Sequence, residues 1–177
     1  MKESYKSLHE ALIHAGVGLE TEVEIEYIDS EGFEKDETSI EKKLSKVKGV
    51  LVPGGFGDRG VEGKIKAIEY ARRNNVPFFG ICLGMQLAAI EFARSVCAIE
   101  GATSEEFDRK SDKPKIIGLM QEQKAITSKG GTMRLGSYNC TVLENTKAFE
   151  AYKTTGISER HRHRYEFNNE FKESFIE

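Results

Sequence analysis

Pro77-Phe78-Phe79-Gly80-Ile81-Cys82-Leu83-Gly84-Met85-Gln86 limits what this chain can fold into more than any other stretch. It reads as a short apolar strand, a glycine-flanked turn with a cysteine at its apex, and then a helix. Gly80-Ile81-Cys82-Leu83-Gly84 has the spacing of a G-x-S-x-G nucleophile elbow with cysteine in place of serine. A strained turn needs small neighbours, so that the backbone can bend and a substrate can come close. A helix starting at Leu83 puts Cys82 near a positive dipole end, which predicts a lowered thiol pKa. The N–H of Leu83 is then free to hold an oxyanion. A buried cysteine ending an α/β strand fits the same pattern, because free cysteine is often a small hydrophobe.

The neighbouring segments favour an open α/β sheet. Gly49-Val50-Leu51-Val52 is a continuous apolar run, the mark of a strand buried on both faces. It leads into Pro53-Gly54-Gly55-Phe56-Gly57-Asp58-Arg59-Gly60, whose glycines let a backbone approach a ligand and offer it N–H groups. A phosphate loop is the alternative, but no Gly-Lys-Ser/Thr ending follows. Residues 61–74 carry Ile65, Ile68 and Ala71 at helical spacing, before the strand 76–81. Strand, helix, strand, helix predicts a three-layer α/β sandwich with a mostly parallel sheet. Ligands bind such sheets at the strand carboxyl ends, where both glycine-rich loops lie.

The remaining segments are weaker in signal. Residues 4–15 predict a helix ended by Gly16 and Gly18. Residues 21–29 alternate Val23, Ile25 and Tyr27 with Glu22, Glu24 and Glu26, which predicts a half-buried edge strand. Residues 30–39 read as a charged loop, 40–48 as a short helix and 101–115 as a polar loop. A short apolar segment spans 116–120, a strand 137–143 and a helix 144–152. Residues 157–167 are basic and aromatic. The tail predicts an amphipathic helix with Phe171 and Phe175 on one side. His161 and His163 alternate along the basic stretch and would share a face, but two histidines without a third ligand make a weak metal site.

Composition narrows the function classes. The 177 residues suit one domain. Net charge is -3 and the sequence pI is about 5.9, which argues against a nucleic-acid partner. No apolar run reaches the roughly 20 residues of a membrane span, and the N-terminus lacks a signal-peptide pattern. The three cysteines Cys82, Cys97 and Cys140 have no C-x-x-C spacing, which predicts a reducing, cytoplasmic setting.

Four segments together resemble a known family. They are Pro53-Gly54-Gly55-Phe56-Gly57, Gly80 to Gln86, Gly130-Gly131-Thr132-Met133-Arg134-Leu135-Gly136 and Arg160-His161-Arg162-His163-Arg164-Tyr165-Glu166. They resemble the glutaminase domain of CTP synthase, a class I triad glutamine amidotransferase of flavodoxin-like architecture. The resemblance runs from Ser4 to the end of the chain. It implies hydrolysis of glutamine through a cysteine thioester, with ammonia passed to a synthetase domain for ATP-dependent amination of UTP to CTP. By the same resemblance Cys82 is the nucleophile, and Gly55 and Leu83 supply the oxyanion hole. Gly55, Leu83, Gly84, Met85, Gln86, Glu106 and Arg164 are glutamine-binding positions. Glutamine carries an ammonium and a carboxylate, which suit Glu106 and the Arg164 region.

The resemblance implies no cofactor in this domain. ATP, UTP, GTP and magnesium belong to the full synthase. The implied partners are glutamine and a synthetase domain, fused or separate, through which the protein would form homo-oligomers. The family also has a strand ahead of the first helix, and a Phe-His-Pro-Glu motif carrying its triad histidine and glutamate. Neither is found in these 177 residues. The expectation is therefore an amidotransferase domain incomplete over 1–177 and inactive alone. A degenerate fold that binds glutamine or a partner without turnover is the alternative. A different flavodoxin-like cysteine hydrolase, using His161 or His163 as base, is a third reading that the Gly-Gly-Thr-Met-Arg segment disfavours.

Overall fold

A computed structural model of the chain describes residues 5–119 and 134–176. The centre is a β-α-β-α unit. Strand β1 (Val50–Val52) lies parallel to β2 (Phe78–Gly80), with Val50 opposite Phe78 and Val52 opposite Gly80. Three helices precede β1: α1 (Lys6–Gly18), α2 (Glu31–Lys35) and α3 (Thr38–Leu44). Helix α4 (Val61–Arg73) joins the two strands, and α5 (Leu83–Ser95) follows β2. Val61, Ile65 and Ile68 on α4 recur at i, i+4, i+7, as do Leu83, Leu87 and Ile90 on α5, and all six are buried.

A second sheet also packs against α5. Strand β3 (Thr103–Ser104) is parallel to β4 (Lys115–Leu119), and β4 is antiparallel to β7 (Tyr165–Phe167). Ile116 and Ile117 of β4 are fully buried in the cluster that holds Leu87 and Ile90. An antiparallel pair, β5 (Arg134–Thr141) with β6 (Gly156–His163), forms a separate two-stranded sheet. Between its strands lies α6 (Lys147–Tyr152), capped by the Thr146 hydroxyl, which accepts from the Phe149 N–H at 3.2 Å.

Several predicted elements differ from those observed. Residues 21–29 form no strand. Alternation alone does not make one, because a strand also needs a paired edge, and none of the described residues pairs with this segment. The Tyr27 hydroxyl instead meets His9 Nε2 of α1 at 2.8 Å. The expected charged loop at 30–39 contains α2, whose Phe33 is buried with Leu44 and Ala67 under α4. Helix α3 starts at Thr38, where Asp36 accepts the Thr38 N–H at 3.0 Å, and it stops four residues before Lys48. The expected polar loop at 101–115 contains β3, with Thr103 and Ser104 buried. The tail is not one helix but two 3-10 turns, Asn169–Phe171 and Glu173–Phe175. Phe175 there packs on Phe167 and Phe92, ring centroids 4.9 and 5.3 Å apart. Residues 130–133 of the Gly-Gly-Thr-Met-Arg segment, and Met120, lie outside the described residues. No helix among the described residues is long and apolar enough to cross a membrane.

Helices α4 and α5 are also joined by charge. Glu91 of α5, 2% exposed, accepts from Nη2 of Arg72 at 2.8 Å and from its Nε at 3.0 Å. Removing one partner of a buried pair leaves the other charge uncompensated. Glu91→Ala is expected to destabilise the fold by about 2 to 3 kcal/mol, held to the lower range because Arg72 reaches solvent. Urea unfolding at constant m-value measures it, and a change below 1 kcal/mol would count against this account.

Candidate active site

Cys82 sits between β2 and α5 with φ 51° and ψ -107°. A non-glycine residue with positive φ is strained by roughly 1 to 3 kcal/mol, and such residues gather at functional sites. The surrounding hydrogen bonds hold the turn. Ile81 N–H donates to the Val52 carbonyl at 3.0 Å, Gly84 N–H to Ile81 at 2.9 Å, and Gln86 N–H to Cys82 at 3.1 Å. The N–H of Leu83 points at the Cys82 thiol instead, and the N–H of Gly55 reaches the thiol from the loop after β1. Gly54 backs onto the same residue: a Cβ placed there would lie 3.3 Å from Cys82 Cβ and 3.9 Å from Sγ. One thiol thus faces two backbone donors, a geometry able to hold negative charge on sulfur or on an oxygen beside it.

The thiol pKa differs from the expectation. Burial pushes Cys82 up from the ordinary thiol value. The Leu83 and Gly55 N–H groups pull it down, and the Glu106 carboxylate pushes it up further. Burial wins, so the thiol stays protonated to higher pH than a helix-start argument predicts. Among the described residues no imidazole is one of the groups acting on it.

The other expected site residues fall into two sets. Glu106 joins the glycine-rich loop: its Oε1 accepts the Gly57 N–H at 2.9 Å, and its own N–H donates to Ser104 Oγ at 3.1 Å. Leu83 and Gly84 are buried at the start of α5, while Met85 is 46% exposed beside them. Gln86 is buried, and its Nε2 donates to the Tyr165 carbonyl at 3.1 Å. That bond brings the backbone after Arg164 to the first turn of α5, one turn from Cys82. The Nε of Arg164 is buried and has no hydrogen-bond partner among the described residues. His161 and His163 share one face of β6, with their Nδ1 atoms 3.3 Å apart. Among the described residues no group of three or more His, Cys, Asp or Glu side chains is set to hold a metal ion.

A family model for class-I glutamine amidotransferases matches residues 1–177. The chain belongs to this family. Among class-I amidotransferase relatives, CTP synthase of Bdellovibrio bacteriovorus is 55% identical over 177 residues, 99% of this chain and 33% of that protein. CTP synthase of Trichlorobacter lovleyi is 58% identical over 173 residues, 98% of this chain and 32% of that one. The chain spans about a third of the length of these curated relatives. A solved structure of the glutaminase domain of Trypanosoma brucei CTPS with bound acivicin superposes with a TM-score of 0.89 at 37% identity. It covers 98% of this chain and 66% of that one. The fold is therefore the α/β architecture of class-I amidotransferases.

Some residues of this candidate site carry no sequence signal. Tyr5 hydrogen-bonds the Gly54 carbonyl at 3.1 Å across 49 residues. Arg109 hydrogen-bonds the Tyr165 hydroxyl, with its guanidinium over the ring. Glu105 accepts the Leu119 N–H, fixing the loop before Glu106 to the end of β4. Each link is long-range and polar, so no periodicity announces it.

Proposed function

We propose that this chain is the glutaminase part of a CTP synthase and attacks glutamine with Cys82. The thiolate sulfur adds to the side-chain carbonyl carbon, and the electron pair moves to oxygen, held by the N–H groups of Gly55 and Leu83. The C–N bond then breaks, ammonia leaves with a proton from an acid, and a γ-glutamyl thioester remains. Water adds to the thioester, the C–S bond breaks, and glutamate and the thiol are released. The observation that carries the reading is Cys82 at positive φ with two backbone donors on its sulfur.

Glu106 and Arg164 fit the two charged ends of the substrate. Glu106 lies close enough to act electrostatically on Cys82, and its carboxylate suits the glutamine ammonium. The Arg164 Nε is a donor without a partner among the described residues and suits the carboxylate. Ammonia would pass to a synthetase part that aminates UTP with ATP and magnesium, under stimulation by GTP. We assign those ligands to that part and none of them to this chain. Relatives about three times as long support a synthetase partner.

Covalent labelling tests the assignment. Acivicin is present in the related glutaminase structure. Incubated with this protein, it is expected to modify Cys82 before Cys97 or Cys140, with protection by glutamine and no labelling in Cys82→Ala. Peptide mapping that finds Cys97 or Cys140 modified first overturns the assignment.

A further inference from the structure

We infer that Tyr5 is a positioning residue that holds the Gly54–Gly55 peptide so that the Gly55 N–H is aimed at the Cys82 sulfur. The inference rests on the reading of Gly55 as an oxyanion donor. Gly54 and Gly55 share one peptide plane, in which the Gly54 carbonyl and the Gly55 N–H point in opposite directions. The Tyr5 hydroxyl donates to that carbonyl oxygen at 3.1 Å. The opposite edge of the same plane faces Cys82, with Gly54 packed against the Cys82 Cβ.

Two glycines in succession are the softest peptide a loop can contain. Without an anchor the plane can rotate and turn its N–H away. Tyr5 is fixed by its place at the N-cap of α1, so one bond transfers the rigidity of that helix to the loop. A hydrogen bond on a carbonyl also polarises its amide and strengthens the N–H on the other side. Tyr5 touches no reacting atom. It acts through the peptide, which separates it from the catalytic residues proposed above.

The test reads the thiol directly and needs neither glutamine nor turnover. Iodoacetamide alkylation of Cys82 is followed across pH by mass spectrometry, with Cys97 as the internal reference. Among the described residues Glu106 is the charged group acting on the thiol, and it is unchanged in every variant. Tyr5→Phe deletes one oxygen. It is expected to raise the Cys82 midpoint by about 0.5 unit, roughly threefold less thiolate below the midpoint, and to leave Cys97 unmoved. Gly55→Pro removes the N–H itself and shifts the midpoint the same way. The double variant adds nothing beyond Gly55→Pro, because both changes act through one N–H. Tyr5→Leu, a second deletion of the hydroxyl with a different apolar side chain in its place, is expected to raise the midpoint likewise and reports even if the phenylalanine variant does not fold.

An unchanged midpoint in a folded Tyr5→Phe protein overturns the inference. So do shifts of Tyr5→Phe and Gly55→Pro that add in the double variant. If acivicin fails to label Cys82 while the Tyr5 shift is present, the functional reading falls and the positioning role stands. The converse pair of results removes Tyr5 alone.

Discussion

Incubated with glutamine, this 177-residue polypeptide alone is expected to release glutamate about 10³- to 10⁶-fold more slowly than a complete cysteine triad would. A thiol attacking an amide needs a base to take its proton and an acid to protonate departing ammonia. Burial and Glu106 hold the Cys82 proton on, and among the described residues no imidazole acts on the thiol to take it. His161 and His163 face each other on β6, and His9 meets Tyr27. The experiment measures glutamate release by this polypeptide. It is then repeated with a chain extended by a Phe-His-Pro-Glu segment, which is expected to restore turnover. Full turnover without that segment, lost in both Cys82→Ala and His163→Ala, would show that the base lies within these residues and sink the prediction.

The same residues show why parts of the molecule were legible and others not. Helices α4 and α5 announce themselves because Val61, Ile65 and Ile68, and Leu83, Leu87 and Ile90, recur at the helical period and meet in one core, and strand β1 does so by its unbroken apolar run. The elbow is legible because only small residues tolerate its geometry. Helix α2 is hidden, since a five-residue helix with a single buried side chain, Phe33, leaves no periodicity to read. Strand β3 is hidden too: Thr103 and Ser104 are polar residues buried by their neighbours, not by their own hydrophobicity. Residues 21–29 mislead in the opposite sense, with a strand's alternation and no strand among the described residues paired to them. At the site, the residue types were readable and their electrostatics were not. The dipole argument for Cys82 counts the helix and omits burial and Glu106, which lies 24 residues further along the chain and acts on the thiol only once the fold brings it close.

The elbow glycines are expected to tolerate no side chain, and Gly84 least of all. A Cβ added to Gly84 would lie 2.0 Å from the Val52 carbonyl oxygen and 2.8 Å from its carbon. Both are far inside van der Waals contact, and both belong to backbone at the end of β1. That carbonyl accepts the Ile81 N–H at 3.0 Å, so it cannot move without breaking the register between β1 and the strand leading to Cys82. Helix α5 has no freedom to retreat either, since Leu83, Leu87 and Ile90 are locked in the core beneath it. Overpacking of a close-packed interior costs roughly 1 to 3 kcal/mol where side chains can adjust, and more where only backbone can. Gly84→Ala is therefore expected to cost more than about 3 kcal/mol, a large share of the roughly 5 to 15 kcal/mol that holds a domain folded. Gly18→Ala, at a position with nothing within 4 Å of an added Cβ, provides the contrast and is expected to change stability by less than about 1 kcal/mol. Urea unfolding of the two variants decides it. A Gly84→Ala protein as stable as Gly18→Ala would mean that α5 and β1 are not held at the separation described, and with them the turn that carries Cys82.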